Sequence, residues 1–152
     1  MNARSFAVVP AAYVYLRHED RVLLQLRQNT GFMDGRWAAA IAGHVELGET
    51  ALATACREAV EELGIMLHPG ALTPVTAMQR TDGTADPREQ RVDWFFTARV
   101  WDGRPTIKEP LKCADLAWFR LTDLPDLVPP HERLVLDGLA SGRLSVFTSY
   151  GY

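Results

Sequence analysis

Cysteine is nearly absent: two residues in 152 leave no room for a disulfide framework. Cys56 and Cys113 show neither metal-ligand nor redox spacing. Each reads as a plain thiol in a reducing cytoplasm. Long apolar runs are missing, so no segment is long enough to span a membrane. The N-terminal stretch 1–10 has one charge and too short an apolar run for a signal peptide. An excess of positive charge is missing as well. Sixteen Lys and Arg stand against nineteen Asp and Glu, a formal net charge of −3, so no general nucleic-acid surface is implied. Repeats, low-complexity stretches and linkers are not seen. What remains is a chain of 47% hydrophobic residues, enough for a sizeable core, and a length that suits one domain over 1–152.

The informative stretch is 43–65, Gly-His-Val-Glu-Leu-Gly-Glu-Thr-Ala-Leu-Ala-Thr-Ala-Cys-Arg-Glu-Ala-Val-Glu-Glu-Leu-Gly-Ile. Thr50 follows a Gly-Glu turn and can cap a helix with its hydroxyl. Residues 51–63 hold no Gly or Pro and are rich in Ala, Leu and Glu, all good helix formers. Gly64 suits a left-handed C-terminal position. At about 100° per residue, Leu52, Cys56, Ala59 and Leu63 share one side, the expected core face. Glu58, Glu61 and Glu62 fall on a neighbouring arc of roughly 100°.

Like charges three and four apart repel by about a few tenths of a kcal/mol per pair on an exposed helix. Arg57, four before Glu61, offsets part of this. A divalent cation would offset much more, and carboxylate oxygens suit hard ions such as Mg²⁺ or Mn²⁺. A solvated acidic face is the plain alternative.

Gly43, Glu49, Arg57, Glu58, Glu61, Glu62 and Gly64 stand at the spacing of the Nudix box. Seven fixed identities match by chance on the order of 10⁻⁹ per starting position at average residue usage. The segment resembles the signature of Nudix hydrolases of the MutT-like kind, with Ala59 where a bulkier aliphatic is preferred. The resemblance implies an α/β/α sandwich with a mixed sheet and the box as loop-helix-loop. It also implies a metal-dependent hydrolase of nucleoside diphosphates linked to another group.

By that resemblance Glu58, Glu61 and Glu62 bind Mg²⁺ or Mn²⁺, with the Gly43 carbonyl completing the site. Glu58 is either a ligand or the base that activates water. Arg57 orients the glutamates, and Glu49 packs near Arg57. A further acidic group is implied at Glu109, with Asp93 and Glu89 as competitors. A strand-end salt bridge is the ordinary reading of Asp93. Arg27, Arg36 and Lys112 are candidates to neutralise phosphates. Asn29, Phe32, Trp94 and Phe119 are candidates to meet a base, although large aromatics on strands are also expected as core. His44 either touches phosphate or is structural.

The substrate read from the resemblance is a small nucleotide, first a nucleoside triphosphate or modified dNTP, giving a nucleoside monophosphate and pyrophosphate. ADP-ribose-type relatives carry a proline about fifteen residues past the box, where this chain has Gln79-Arg80-Thr81-Asp82. The long signatures of NADH-type and coenzyme-A-type members are not visible either. ADP-ribose, nucleotide sugars and capped RNA stay open, as does a non-catalytic nucleotide sensor. A homodimer is allowed by the family.

Beyond the box, strands are expected at Phe6–Leu16, Arg21–Arg27, Trp37–Ala42, Leu72–Arg80, Arg91–Trp101 and Leu116–Arg120. The first two form a hairpin around His18-Glu19-Asp20. Loops are expected over 28–36 and 81–90. Pro130–Ser141 reads as a helix with Leu134, Leu136, Leu139 and Ala140 as apolar positions. The run Ser145–Tyr152, rich in aromatics, packs on the domain, covers a cleft or joins a dimer. Strands, helix, strands, helix fit a mixed sheet with helices on its two faces.

Overall fold

The computed structural model describes residues 4–152; the first three residues of the N-terminal stretch read above lie outside it. Eight strands form one mixed sheet. They are β1 (Val9–His18), β2 (Arg21–Arg27), β3 (Trp37–Ala39), β4 (Ile41–His44), β5 (Thr73–Arg80), β6 (Arg91–Ala98), β7 (Cys113–Arg120) and β8 (Phe147–Tyr150). The two α-helices are α1 (Ala51–Leu63) and α2 (Pro130–Ser141). Short 3₁₀ turns at Pro69–Ala71 and Pro87–Glu89 fall in the connections.

β1 is the axis of the sheet. It runs parallel to β6 from Val9↔Arg91 to Leu16↔Ala98. Along its other edge it changes partner. Ala11 to Val14 pair antiparallel with β4, while Arg17 and His18 pair with β2 in the expected hairpin. β2 is covered in turn by β3 and β7, and β5 lies between β6 and β8.

Alternation along β1 divides the core in two. Ala12, Val14 and Leu16 face one layer with Ala55, Ala59 and Leu63 of α1. Ala11, Tyr13 and Tyr15 face the other, with Val135 and Leu136 of α2. Side chains of period two on one strand thus feed two helix layers, the α/β/α sandwich.

Several expectations need correction. The first strand begins at Val9, and Phe6 is exposed. The stretch 37–42 is two strands: the chain leaves β2 at Ala39 and joins β1 at Ile41. The sixth strand ends at Ala98, leaving Val100 exposed. On α1 the core face is Ala55, Ala59 and Leu63, while Leu52 is exposed and Cys56 only half-buried. Alanine at 55 and 59 lets the helix backbone approach the sheet, which turns Leu52 outward. On α2, Val135 and Leu136 are buried and Leu134 is not. The C-terminal run forms β8, parallel to β5. No helix among the described residues is long and apolar enough to cross a membrane.

Candidate active site

The ends of α1 are fixed locally. Thr50 Oγ1 accepts from the Ala53 N–H at 3.1 Å, and Gly64 closes the helix with φ 66°. The preceding turn is tied down by Glu49, whose carboxylate accepts from the Glu46 N–H at 3.0 Å.

Arg57 gathers the acidic residues around it. Its Nε donates to Glu49 Oε2 at 2.8 Å and its Nη2 to Glu49 Oε1 at 3.0 Å, a two-pronged pair. Nη1 donates to Glu58 Oε1 at 2.8 Å and to Glu61 Oε2 at 3.2 Å. Nη2 also reaches the His44 carbonyl at 3.2 Å, which binds the helix to the end of β4. Arg57 holds the Glu49 carboxyl down at about 2, well below the usual range. One guanidinium thus fixes the loop, the helix and two of the three box glutamates.

Glu62 is different. It is half-buried, and Oε2 accepts from the Ala42 N–H at 2.8 Å. Burial pushes its carboxyl well above the ordinary value, and the neighbouring Glu58 and Glu109 carboxylates push it further. Burial also raises Glu58, against the pull of Arg57. Glu58 lies against the backbone of β4, and a Cβ built at Gly43 would overlap its carboxylate. Only glycine leaves room there for both groups.

Glu58, Glu61 and Glu62 line a cleft of about 420 Å³ that also contains Glu109, Lys112, Arg27 and Asn29. Glu109 sits at the turn where its carbonyl accepts from the Lys112 and Cys113 N–H groups at 3.0 Å. Asn29 has φ 54° and donates through Nδ2 to the Leu111 carbonyl at 3.0 Å, joining the loop after β2 to this turn. Arg27 is anchored by the Phe32 carbonyl at 2.9 Å and Thr30 Oγ1 at 3.0 Å, with its guanidinium 5.7 Å from the Phe32 ring centre.

The other candidates lie elsewhere. Asp93 is fully buried and bonded to Arg80 Nε at 2.7 Å, an internal ion pair rather than a cleft acid. Glu89 lines a second cleft. Trp94 lines neither cleft. It packs on the α1 layer and borders an apolar groove with Pro74, Ala77 and Phe147. Phe119 meets Trp37 edge-on at 4.8 Å in the α2 layer. Arg36 donates to the Val128 carbonyl at 3.4 Å.

The second cleft, about 530 Å³, opens on the other side of Arg27, Ala42 and His44, which border both. Its walls include Val9, Ala11, Phe32, Arg91, Pro129 and Glu132. Arg91 Nη2 lies 3.1 Å from His44 Nε2. Glu132 is the residue that sequence reasoning missed. It sits at the first turn of α2, is 3% exposed, and accepts from Tyr15 Oη and the Ala39 N–H, each at 2.7 Å. The available signal was its spacing: Glu132, Val135, Leu136 and Leu139 form one helix stripe, so a carboxylate stands in an apolar row.

The carboxylates fit a hard cation in kind. Two of them, Glu58 and Glu62, are half-buried, carry raised proton affinity and line one cleft, with Glu58 against the Gly43 backbone. Among the described residues, no three acidic, histidine or cysteine side chains yet converge as a finished cage. Arg57 is holding Glu58 and Glu61 in the positions seen.

Comparison with known proteins agrees with this geometry. A family model described as NUDIX domain matches residues 8–138. The NAD-capped RNA hydrolase NudC of Klebsiella pneumoniae subsp. pneumoniae is 33% identical over 140 residues, covering 90% of this chain and 49% of that protein. The chain therefore spans about half the length of the curated relatives it matches. A MutT NUDIX hydrolase from Burkholderia pseudomallei superposes with TM-score 0.77 at 27% identity, covering 86% of this chain and 97% of that one. An ADP-ribose pyrophosphatase from Streptococcus suis shares the fold, with TM-score 0.65 at 20% identity over 95% of this chain and 99% of that one. With the three box glutamates lining one cleft and the family model running across nearly all of both helix layers, the chain belongs to the Nudix family.

Proposed function

We propose that the chain is a divalent-metal-dependent hydrolase of nucleoside diphosphates linked to a further group, acting first on a nucleoside triphosphate or modified dNTP. The observation that carries this reading is the pairing in one cleft of Glu58 and Glu62, half-buried carboxylates with raised proton affinity, Glu58 against Gly43 and Glu62 against Ala42. Such a pair is costly unless a cation balances it.

Glu62, Glu58 and Glu61, with the Gly43 carbonyl, would hold Mg²⁺ or Mn²⁺. The ion supplies Lewis acidity to water and to diphosphate oxygens. Arg57 keeps the glutamates in place through its forked bonds. Glu58, with its raised proton affinity, is suited to take a proton from the attacking water. Lys112 and Arg27, at the rim of the same cleft, are placed to meet negative charge on the phosphates. Glu109 borders the cleft as a further carboxylate. Water adds at a phosphorus, the anhydride bond breaks, and two phosphorylated fragments leave.

The neighbouring cleft supports a nucleoside end. It is largely apolar, adjoins the acidic cleft along Arg27, Ala42 and His44, and has a few inward polar groups. The NudC relatives favour a second reading, a dinucleotide of the NAD type or an RNA end that carries one. The two readings share the chemistry and differ in what leaves.

Hydrolysis would be followed as release of pyrophosphate or phosphate from canonical and oxidised dNTPs, and as formation of the two monophosphate fragments from ADP-ribose, NADH and NAD-capped RNA, with Mg²⁺ or Mn²⁺ and with EDTA. Turnover that EDTA abolishes and added metal restores supports the proposal. Metal-independent turnover, or none on any member, counts against it.

A further inference from the structure

The second cleft holds a carboxylate that the chemistry above does not use. Glu132 comes from α2, the helix on the opposite face of the sheet from the acidic helix α1. Both lone-pair directions of Oε1 are taken, one by Tyr15 Oη and one by the Ala39 N–H. The partner oxygen, Oε2, accepts no hydrogen bond among the described residues and is not sealed from the cleft. Phe32 and Pro129 present apolar surface in the same cleft. A planar ligand seated there would meet the free oxygen of Glu132 among the cleft's polar groups. A buried carboxylate oxygen in such a place rewards a donor and penalises another acceptor.

We infer that Glu132 Oε2 selects the ligand of this cleft by accepting a hydrogen bond from the exocyclic amino group of a nucleobase. Amino-bearing bases are therefore taken in preference to their oxo counterparts. The inference rests on the proposed reading only in taking the ligand to be a nucleotide. Two features make the selection sharp. Oε1 is locked by its two donors, so the carboxylate cannot turn to present another atom. The backbone that locks it, at Ala39, is also part of the cleft wall.

Burial pushes the Glu132 carboxyl up to about 7, with Tyr15, the Ala39 N–H and Arg27 pulling it down and Asp93 pushing it up. Tyr13 and Arg80 also face it. Burial raises Tyr13 and Tyr15 far above neutrality, and, against the effect of burial, Tyr13 and Asp93 hold Arg80 above its ordinary value. The adjacent His131 is held neutral, with its pKa lowered to about 3.

The test measures equilibrium binding of AMP, IMP, CMP and UMP by calorimetry, so that no turnover is needed. Within each pair the ligands differ in carrying an amino or an oxo group. The wild-type protein at pH 8 should bind AMP over IMP and CMP over UMP by about tenfold or more, as expected for a hydrogen bond to a charged group. Glu132→Gln keeps an oxygen for Tyr15 and Ala39 and puts an N–H₂ donor in place of Oε2. It should reverse both preferences.

Should that variant fail to fold, the wild-type protein at pH 6 reads the same property. Protonated Oε2 then donates, and the amino preference should fall by several-fold in both pairs. Equal affinities within the pairs at pH 8, failure to bind any of the four, or unchanged preference in Glu132→Gln would overturn the inference. Selective binding without hydrolysis of any member of the substrate panel above would leave it standing and sink the hydrolase reading alone.

Discussion

Glu62 Oε2 accepts a hydrogen bond from the Ala42 backbone N–H at 2.8 Å, so a carboxylate from α1 is pinned to the strand residue just before Gly43. The carboxyl is half-buried and its proton affinity is raised. Glutamine at 62 keeps an acceptor for Ala42 and removes the charge. Glu62→Gln should therefore lose activity on the order of a hundredfold or more, since cation binding is worth several kcal/mol of charge stabilisation. Its melting temperature should match or exceed that of the wild type without added metal. Steady-state kinetics beside a thermal melt check both halves. Wild-type turnover in this variant would exclude Glu62 from the chemistry.

Arg57 tests positioning. Its guanidinium serves Glu49, Glu58, Glu61 and the His44 carbonyl at once. Lysine keeps the charge but cannot make the fork. Arg57→Lys should cost roughly 10- to 100-fold in activity, the range for groups that orient metal ligands. A raised metal concentration needed for half-maximal rate would mark the loss as one of positioning. An unchanged metal requirement would contradict that role.

At Gly43 the argument is steric. The backbone there is an ordinary strand paired with Ala12, so alanine carries no conformational penalty of its own. The added Cβ would displace the Glu58 carboxylate. Gly43→Ala should lower the catalytic rate on the order of a hundredfold, as a displacement near 1 Å can. Stability should change by no more than about 1 kcal/mol, because the far end of a side chain can move aside. Denaturant unfolding and kinetics on one preparation separate the two effects. Full activity would show that the Glu58 position is not critical.

The pH dependence of stability should bear the mark of His131. It is 2% exposed, its Nε2 has no partner, and burial lowers its pKa from 6.5 to about 3. Between those values the unfolded chain binds the proton and the folded chain does not. Its contribution is present in full above pH 6.5 and is lost as the pH falls toward 3. Glu132 and Glu62, whose carboxyls are raised in the fold, work in the opposite direction, so His131 is read by difference. Urea unfolding at pH 7.5 and 5 should show His131→Leu gaining stability relative to the wild type as the pH falls. An equal change in both would place the acid sensitivity elsewhere.

The parts of the fold legible in the sequence are those fixed by near neighbours. Helix α1 begins after Thr50 and ends at Gly64 because a hydroxyl cap and a left-handed glycine act within one turn. The pairing of Glu49 with Arg57, and the gathering of Glu58, Glu61 and Glu62, follow from helix spacing and the box. The break at Ala40 was not legible, since it comes from a change of strand partner that no local pattern records. The outward turn of Leu52 depends on how closely α1 meets the sheet. Trp94 drew notice as an aromatic on a strand, but that property suits a core neighbour equally well, and it lies outside both clefts. Glu132 stayed hidden for the reverse reason: a charge in an apolar stripe is informative only once a cleft is found beside it.

The two clefts meet along Arg27, Ala42 and His44, yet their walls hang on helices from opposite faces of the sheet. A substitution at the start of α2 has no packing route to α1 except through β1 and its neighbours. Variation there is therefore a cheap way to try new ligands while the acidic apparatus stays intact. A library randomised around Pro129 and Glu132 is where altered substrate choice should emerge first.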